Sequence, residues 1–125
     1  HEGLGRKGEL IGLEVNMRPS GGISPDMMNF SQSTDVYKIW ADMIAYDSSL
    51  RGIGQTAFCA FAGRRDGKNF VMSDEDIMHK YGANMKMSGR VADALSGAMG
   101  NQMYIANFNT KEEMDAFYND VLACR

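Results

Sequence analysis

Apolar and polar side chains alternate near the start of the chain. Within residues 9–17, Ile11, Leu13 and Val15 occupy every second position. Because successive side chains of a β-strand point to opposite faces, this spacing predicts a half-buried strand. A glycine-rich polar turn at residues 3–8 precedes the strand, so we expect that a partner strand lies upstream in a longer protein. The other face of the predicted strand carries Leu10, Gly12, Glu14, Asn16 and Arg18.

The pattern changes to helical spacing after a loop at residues 19–22. Ser24 and Pro25 predict a helix start, with Ser24 as the cap and Pro25 in the first helical position. A second helix is predicted from about Asp35, with Thr34 as its cap. Its apolar side chains recur at intervals of three and four residues, which predicts a stripe that faces a core. The stripe consists of Val36, Ile39, Trp40, Met43 and Ile44.

The second half of the chain predicts short strands and helices. Strands at 57–62 and 69–72 are expected to form a hairpin, because Asp-Gly at positions 66 and 67 is a strong hairpin signal. A helix capped by Ser73 is predicted up to Tyr81, followed by a short strand at 84–87.

Residues 97–101 are predicted to be a tight connection before a strand at 102–108. Thr110 and Glu113 then form a capping box at the start of a last amphipathic helix. The whole order predicts an α+β fold, with an antiparallel or mixed sheet and flanking helices. Because composition changes at the polar connection 48–56, we predict one unit over residues 1–50 and a C-terminal α+β sub-domain over residues 51–125.

Composition narrows the classes of function. The chain has 125 residues and a formal net charge of −3, with no basic block, so we expect no nucleic-acid partner. No apolar run is long enough to span a bilayer, and the first residues do not resemble a signal peptide. We therefore expect a cytoplasmic protein. In that compartment Cys59 and Cys124 are expected to be reduced, and the 11 methionines are better explained as irregular core filling than as an adaptable binding surface.

Candidate chemistry lies on the polar face of the first strand. Magnesium binds hard oxygen ligands and usually shares them with phosphates, and Glu14 and Asn16 supply a carboxylate and an amide oxygen two residues apart. Arg18 could hold phosphate or carboxylate oxygens through paired hydrogen bonds. Gly21 and Gly22 would let the backbone approach a ligand closely. On spacing alone, however, an ordinary solvated sheet face is the commoner explanation.

The same residues carry a family resemblance. Glu14-x-Asn16-x-Arg18 resembles the E-x-N-x-R element near the end of the ATP-grasp fold. The longer run from Leu13 to Gly22 is similar to the carbamoyl-phosphate-synthase-like branch of that superfamily and is the more specific match. Four later segments also fit this branch, so the similarity covers most of the chain. They are Asp26-Met27-Met28-Asn29, Asp35-Val36-Tyr37, the residues 64–68 and the residues 94–100.

The resemblance implies an ATP-dependent carboxylate–amine, or carboxylate–thiol, ligase that works through an acyl phosphate. It implies that Glu14 and Asn16 bind the Mg²⁺ (or Mn²⁺) ions that bridge ATP phosphates, and that Arg18 contacts phosphate or the acyl phosphate. Gly21 and Gly22 would lie beside the nucleotide. Another metal ligand of the family lies about a dozen residues upstream, where this chain has Glu2.

The resemblance is incomplete. The phosphate-binding lysines, the glycine-rich lid and the adenine pocket of the family match nothing in this chain. We therefore expect that it contributes half of an ATP–magnesium site to a longer ligase and is inactive alone, with ATP and a small carboxylate or amine as ligands of the full protein. The alternative is a small non-catalytic α+β binding or regulatory module. In either case an unpaired sheet edge could produce a homodimer.

Other charged positions have simpler explanations. Arg64, Arg65 and Lys68 could bind phosphate, but a solvated hairpin tip is favoured. His79 has no evident acid–base partner. The acidic residues 74–76 are explained by the favourable placement of carboxylates at a helix start. The residues 97–100 lack the lysine of a phosphate-binding P-loop, and Trp40 is expected in the core rather than against a ligand.

Overall fold

The computed structural model describes Arg18 and residues 20–125, and in this part of the chain the predicted α+β class is confirmed. The predicted first strand at 9–17 lies outside the described residues. The described elements are α1 (Ser24–Gln32), α2 (Val36–Tyr46), β1 (Phe58–Arg64), α3 (Asp74–Tyr81), β2 (Met85–Arg90), α4 (Asp93–Met99), β3 (Gln102–Phe108) and α5 (Lys111–Leu122). The proposed division at residues 50 and 51 stays a prediction.

The three described strands form one antiparallel sheet in the order β1-β3-β2. The predicted hairpin of β1 with residues 69–72 is therefore wrong, because β1 pairs with β3 from Phe58↔Phe108 to Arg64↔Gln102. The chain does turn at Asp66-Gly67, but it then leaves the sheet. Residues 69–71 obtain their backbone partners from the end of the chain instead. Val71 N donates to Ala123 O at 2.9 Å, and Arg125 N donates to Asn69 O at 2.9 Å.

The main core lies between one face of this sheet and the helices α3 and α5. Ala60 and Ala62 of β1 are small, which leaves room for large rings from the other elements. Tyr81 and Phe117 meet edge to face with ring centroids 5.1 Å apart, and Phe108 lies 5.2 Å from Phe117. Complete burial of a side chain such as Phe117 contributes about 1.5–3 kcal/mol of stability.

Helix α1 lies against the other face of the sheet. Ser31 Oγ donates to Ala57 O at 2.7 Å, and Asn107 Nδ2 donates to Phe30 O at 2.7 Å. Ile105 points to this face and is fully buried. Two side-chain hydrogen bonds to main-chain carbonyls thus tie the α1 region to β1 and β3.

Two of the predicted helix caps are confirmed and two are wrong. Ser73 with Asp76 and Thr110 with Glu113 form complete capping boxes at α3 and α5. Ser24 lies inside α1 rather than capping it. Asp35, and not Thr34, caps α2, since its side chain accepts from Lys38 N at 3.0 Å, whereas the Thr34 hydroxyl donates to Gly52 O.

Helix α4 was not expected. The sequence predicts a tight connection at 97–101, but residues 93–99 are helical, because a helix tolerates Gly97 in its interior. The turn occurs at Gly100, which has φ of 86° and ends the helix. Its Cβ position would lie 2.8 Å from Arg64 O, so both the backbone conformation and the space require glycine there.

The predicted apolar stripe of α2 does not join the core. Among the described side chains, none in α2 is buried, and Ile44 is 71% exposed. Trp40 is half-buried and lies outside the core cluster, so its predicted core position is wrong. In the described part of the chain, no helix is both long and apolar enough to cross a membrane.

We expect Gly63→Ala to destabilise the protein. A Cβ at Gly63 would lie 2.0 Å from the Met99 carbonyl oxygen, where the end of α4 contacts β1. Overpacking of this kind typically costs about 1–3 kcal/mol, and a backbone neighbour cannot rotate away. Urea unfolding should show this loss. Gly97→Ala is the control, because nothing lies within 4 Å of that Cβ and alanine favours a helix; equal stability of both variants would contradict the close contact.

A second prediction concerns acid stability. The Asp120 carboxylate accepts from Lys80 Nζ and from the Tyr81 hydroxyl, which joins α5 to α3. The hydrogen bond from Lys80, followed by that from Tyr81, lowers the pKa of Asp120. Because the folded pKa lies below the unfolded one, this carboxylate stabilises the fold above its ordinary pKa of about 4. That contribution is lost as the pH falls through the folded pKa.

Asp120→Asn should therefore lower the melting temperature at pH 7, and its difference from the unchanged protein should shrink below about pH 4. Thermal unfolding followed by circular dichroism across this range measures both effects. Asp115→Asn is the control, since Asp115 pairs with Lys111 on the solvent-exposed face of the same helix and such pairs contribute little. A pH-independent difference for Asp120→Asn would contradict the assignment.

Candidate functional site

The predicted site residues that the structure describes lie just before α1. Arg18, Gly21 and Gly22 are exposed, whereas Glu2, Glu14 and Asn16 lie outside the described residues. Gly22 has φ of 64°, a conformation that favours glycine. Nothing lies within 4 Å of a Cβ built at Gly21 or Gly22. The glycine at position 22 is thus required by the turn, and the space beside both glycines is open.

Arg18 stands at the edge of an apolar groove of about 310 Å³. Four of the five residues of the α2 stripe, which was predicted to face a core, line this groove instead. Ser20 lies beside Arg18, and Pro25 and Met28 contribute from α1. The remaining wall consists of Val36, Ile39, Trp40 and Met43. The structure therefore places Arg18 among the residues that line a mainly apolar groove.

The described residues do not supply a metal site of their own. Across Arg18 and residues 20–125, no group of three or more His, Cys, Asp or Glu side chains is arranged to hold a metal ion. His79 is exposed on α3, and Asp76 is engaged in the cap of that helix. Cys59 and Cys124 are not joined by a disulfide, and burial raises the pKa of the Cys59 thiol.

The position of Arg64 differs from the one predicted from the sequence. It was expected at a solvated turn, but it is the last residue of β1 and its side chain is only 6% exposed. Its Nε donates to Val121 O at 2.7 Å, and its Nη1 donates to Met72 O at 2.9 Å. The guanidinium thus binds the main chain at the end of α5 and just before α3.

Aromatic rings and a carboxylate complete the surroundings of Arg64. Its Cζ lies 4.4 Å from the centre of the Phe70 ring and 5.6 Å from that of Tyr104. Nη1 also lies 3.3 Å from Asp74 Oδ1, and the Tyr104 hydroxyl donates to the same oxygen. Burial, followed by the hydrogen bond to Asp74, raises the pKa of Tyr104, so this hydroxyl remains a donor at physiological pH.

One part of this arrangement is unsatisfied. The Nη2 atom of Arg64 is buried and has no hydrogen-bond partner among the described residues. Leaving a buried donor unpaired costs about 1–3 kcal/mol, and more for a charged group. The sequence did carry a signal for the burial of Arg64. Ala60, Ala62 and Arg64 alternate on one face, so extending the predicted strand by two residues would have put Arg64 on the core face.

The neighbouring cations behave differently. Arg65 is exposed, and its Nη2 donates to Gly97 O at 2.7 Å near the end of α4, where a positive charge is favourable. Lys68 is exposed beside an open cleft of about 680 Å³ that Arg64 also lines. Asp66 forms a two-point ion pair with Arg90, at 2.8 and 2.6 Å, and this contact lowers the pKa of Asp66.

A second, smaller cleft of about 260 Å³ is lined mainly by polar side chains. Asn84, Asn107 and Asn109 line it with amide groups, and Gln55 and Lys86 line it as well. Asn107 Oδ1 is buried and has no partner among the described residues. No pattern in the sequence had indicated this concentration of amide groups, because the contributing segments are far apart in the chain.

Comparison with known proteins adds no relative. No protein-family model, curated protein or solved structure matches this chain.

Arg64→Met should destabilise the protein by at least about 1–3 kcal/mol, because Val121 O and Met72 O would lose their donors inside the protein. Urea or thermal unfolding measures this loss. Arg65→Met is a matched control at the next position, where the side chain is exposed and the expected change is within about 0.5 kcal/mol. Similar losses for the two variants would show that Arg64 is not a buried anchor.

Proposed function

We propose that this chain is the C-terminal part of an ATP-dependent carboxylate–amine, or carboxylate–thiol, ligase that works through an acyl phosphate. The observation that carries the proposal is the run from Leu13 to Gly22, which resembles the carbamoyl-phosphate-synthase-like branch of the ATP-grasp superfamily. Glu14, Asn16 and Arg18 within this run are one carboxylate, one amide and one guanidinium at alternating positions. These are the groups that a magnesium–phosphate site requires.

The described residues support this proposal in two respects. Arg18 is exposed, which leaves it accessible to a phosphate, and Gly22 holds a left-handed turn at the end of the run. In this proposal the metal ligands are Glu14 and Asn16, with Glu2 as the further candidate, as the resemblance implies. The α+β class is also compatible with the end of an ATP-grasp fold.

The proposed chemistry has two steps. A carboxylate oxygen of the substrate attacks the γ-phosphorus of ATP, the bond to the bridging oxygen breaks, and ADP leaves. An amine or thiol then attacks the acyl carbon, phosphate departs with the electrons of the C–O bond, and the nucleophile loses a proton. When bound, magnesium offsets the negative charge that develops on the phosphoryl oxygens. Arg18 would hold those oxygens in place through paired hydrogen bonds.

A non-catalytic binding or regulatory module is the second candidate. One observation favours it: residues 58–125 contain all three described strands, in one sheet, and the main buried core of the described residues. Such a unit could bind a ligand or a partner without chemistry. It would need neither Glu14 nor Asn16, and this difference separates the two candidates experimentally.

The test uses the full-length protein that contains this chain. Formation of ADP and phosphate is measured with Mg-ATP and panels of small carboxylates, amines and thiols. Glu14→Gln should reduce turnover by at least about a hundredfold, because loss of one group that stabilises transition-state charge typically costs this much. Glu112→Gln, an exposed carboxylate in the first turn of α5, should leave turnover unchanged.

Unchanged turnover in a folded Glu14→Gln protein would remove Glu14 from the mechanism. A binding measurement separates the two candidates further. Trp40 lies in the groove beside Arg18, so its fluorescence can follow Mg-ATP. We expect no tight binding by the 125-residue chain alone and magnesium-dependent binding by the full-length protein. If the full-length protein binds no Mg-ATP and shows no turnover, the ligase proposal fails and the module remains.

A further inference from the structure

We propose that the cleft between residues 68–73 and Arg125 is a binding site for a small oxyanion, carried as a phosphate or carboxylate group. The cleft uses no residue of the run from Leu13 to Gly22, so this inference goes beyond the proposed function. Its volume of about 680 Å³ lies within the range of small-molecule sites.

Three cationic side chains line the cleft, against one carboxylate. Arg64 forms part of its wall, and Lys68 and Arg125 are exposed at its rim. The carboxylate is that of Asp76, whose Oδ2 accepts from both the N–H and the hydroxyl of Ser73. Asp74 pairs with Arg64 and is a second carboxylate close by, so three positive charges stand against two negative ones and a positive charge remains in excess.

The main chain keeps the cationic residues close together. Val71 N donates to Ala123 O, and Arg125 N donates to Asn69 O, so the segment after Lys68 is bonded directly to the segment that ends at Arg125. The cleft is therefore formed before any ligand arrives. A preformed site loses less conformational entropy on binding than a mobile one.

Arg64 provides the observation that points to a ligand. Its side chain is 6% exposed, and its orientation is fixed by Val121 O, Met72 O and Asp74. Its Nη2 has no partner among the described residues. A buried guanidinium nitrogen without an acceptor is unusual in proteins, so Asp74 compensates the positive charge of Arg64 only in part, and this charge would attract an oxyanion in the cleft.

The roles of the three residues differ accordingly. Lys68 and Arg125 would contact the anion directly, because their side chains are exposed. Arg64 supplies a fixed positive charge in the wall, where the lower dielectric strengthens its attraction. Phe70, stacked against the Arg64 guanidinium, also lines the cleft and offers an apolar surface for the rest of a ligand.

The test is calorimetric titration of the protein with inorganic phosphate and, separately, with succinate, with sodium chloride used to hold the ionic strength constant. Saturable binding of either probe is expected, and the preferred probe identifies the phosphate or the carboxylate as the recognised group. The double variant Lys68→Gln/Arg125→Gln should bind at least about tenfold more weakly, since it loses two charge-assisted contacts.

The matched control is Lys38→Gln/Arg65→Gln, which removes the same charge from exposed positions outside the cleft. It should bind as the unchanged protein does. Side-chain NMR of Arg64 in the unchanged protein gives an independent result, because its guanidinium signals should shift and saturate with the probe. Absence of saturable binding, equal weakening in both double variants, or unshifted Arg64 signals during binding would each overturn the proposal.

Discussion

The Arg64 guanidinium joins segments of the chain that are far apart in sequence. It extends from the end of β1 to the carbonyl of Val121 in α5 and to the carbonyl of Met72 just before α3. The hydroxyl of Tyr104 in β3 meets it through the shared carboxylate of Asp74. Buried main-chain carbonyls need donors, and here one side chain provides them at the end of α5 and in the segment just before α3. The positions of α3 and α5 on the sheet therefore depend on this contact.

Burying the charged Arg64 guanidinium costs free energy of desolvation, and the neighbouring side chains reduce this cost. Asp74 lies within ion-pair distance on the solvent side, and Phe70 and Tyr104 present ring faces to the guanidinium. The need to surround the Arg64 guanidinium also accounts for the path of residues 69–72, which do not pair with β1: Phe70 presents its ring and Met72 its carbonyl to this group. These residues pass the guanidinium and bond to the end of the chain, so the Asp-Gly turn redirects the chain without forming a hairpin.

The α1–α2 region has the opposite character. Its two helices were predicted from the local sequence pattern. However, apolar side chains of α2 line an open groove instead of a core, and Arg18 also lines this groove. A contiguous exposed apolar surface can mark contact with another part of a protein or with a partner. This agrees with the proposal that the chain functions within a longer ligase, in which the groove and the run from Leu13 to Gly22 adjoin further sequence.

The sequence by itself determined the features that depend on neighbouring residues. The α+β class, the span of β3 at residues 102–108, the helix cap at Ser73 and the capping box of Thr110 follow from local patterns, because alternation and cap bonds involve residues close in the chain. Strand pairing, the burial of Arg64 and the open face of α2 were decided only by the tertiary structure. Each depends on which distant segment lies alongside. β1 pairs with β3 instead of residues 69–72. Arg64, a residue type that usually lies in water, is buried because the carbonyls of Met72 and Val121 accept its hydrogen bonds.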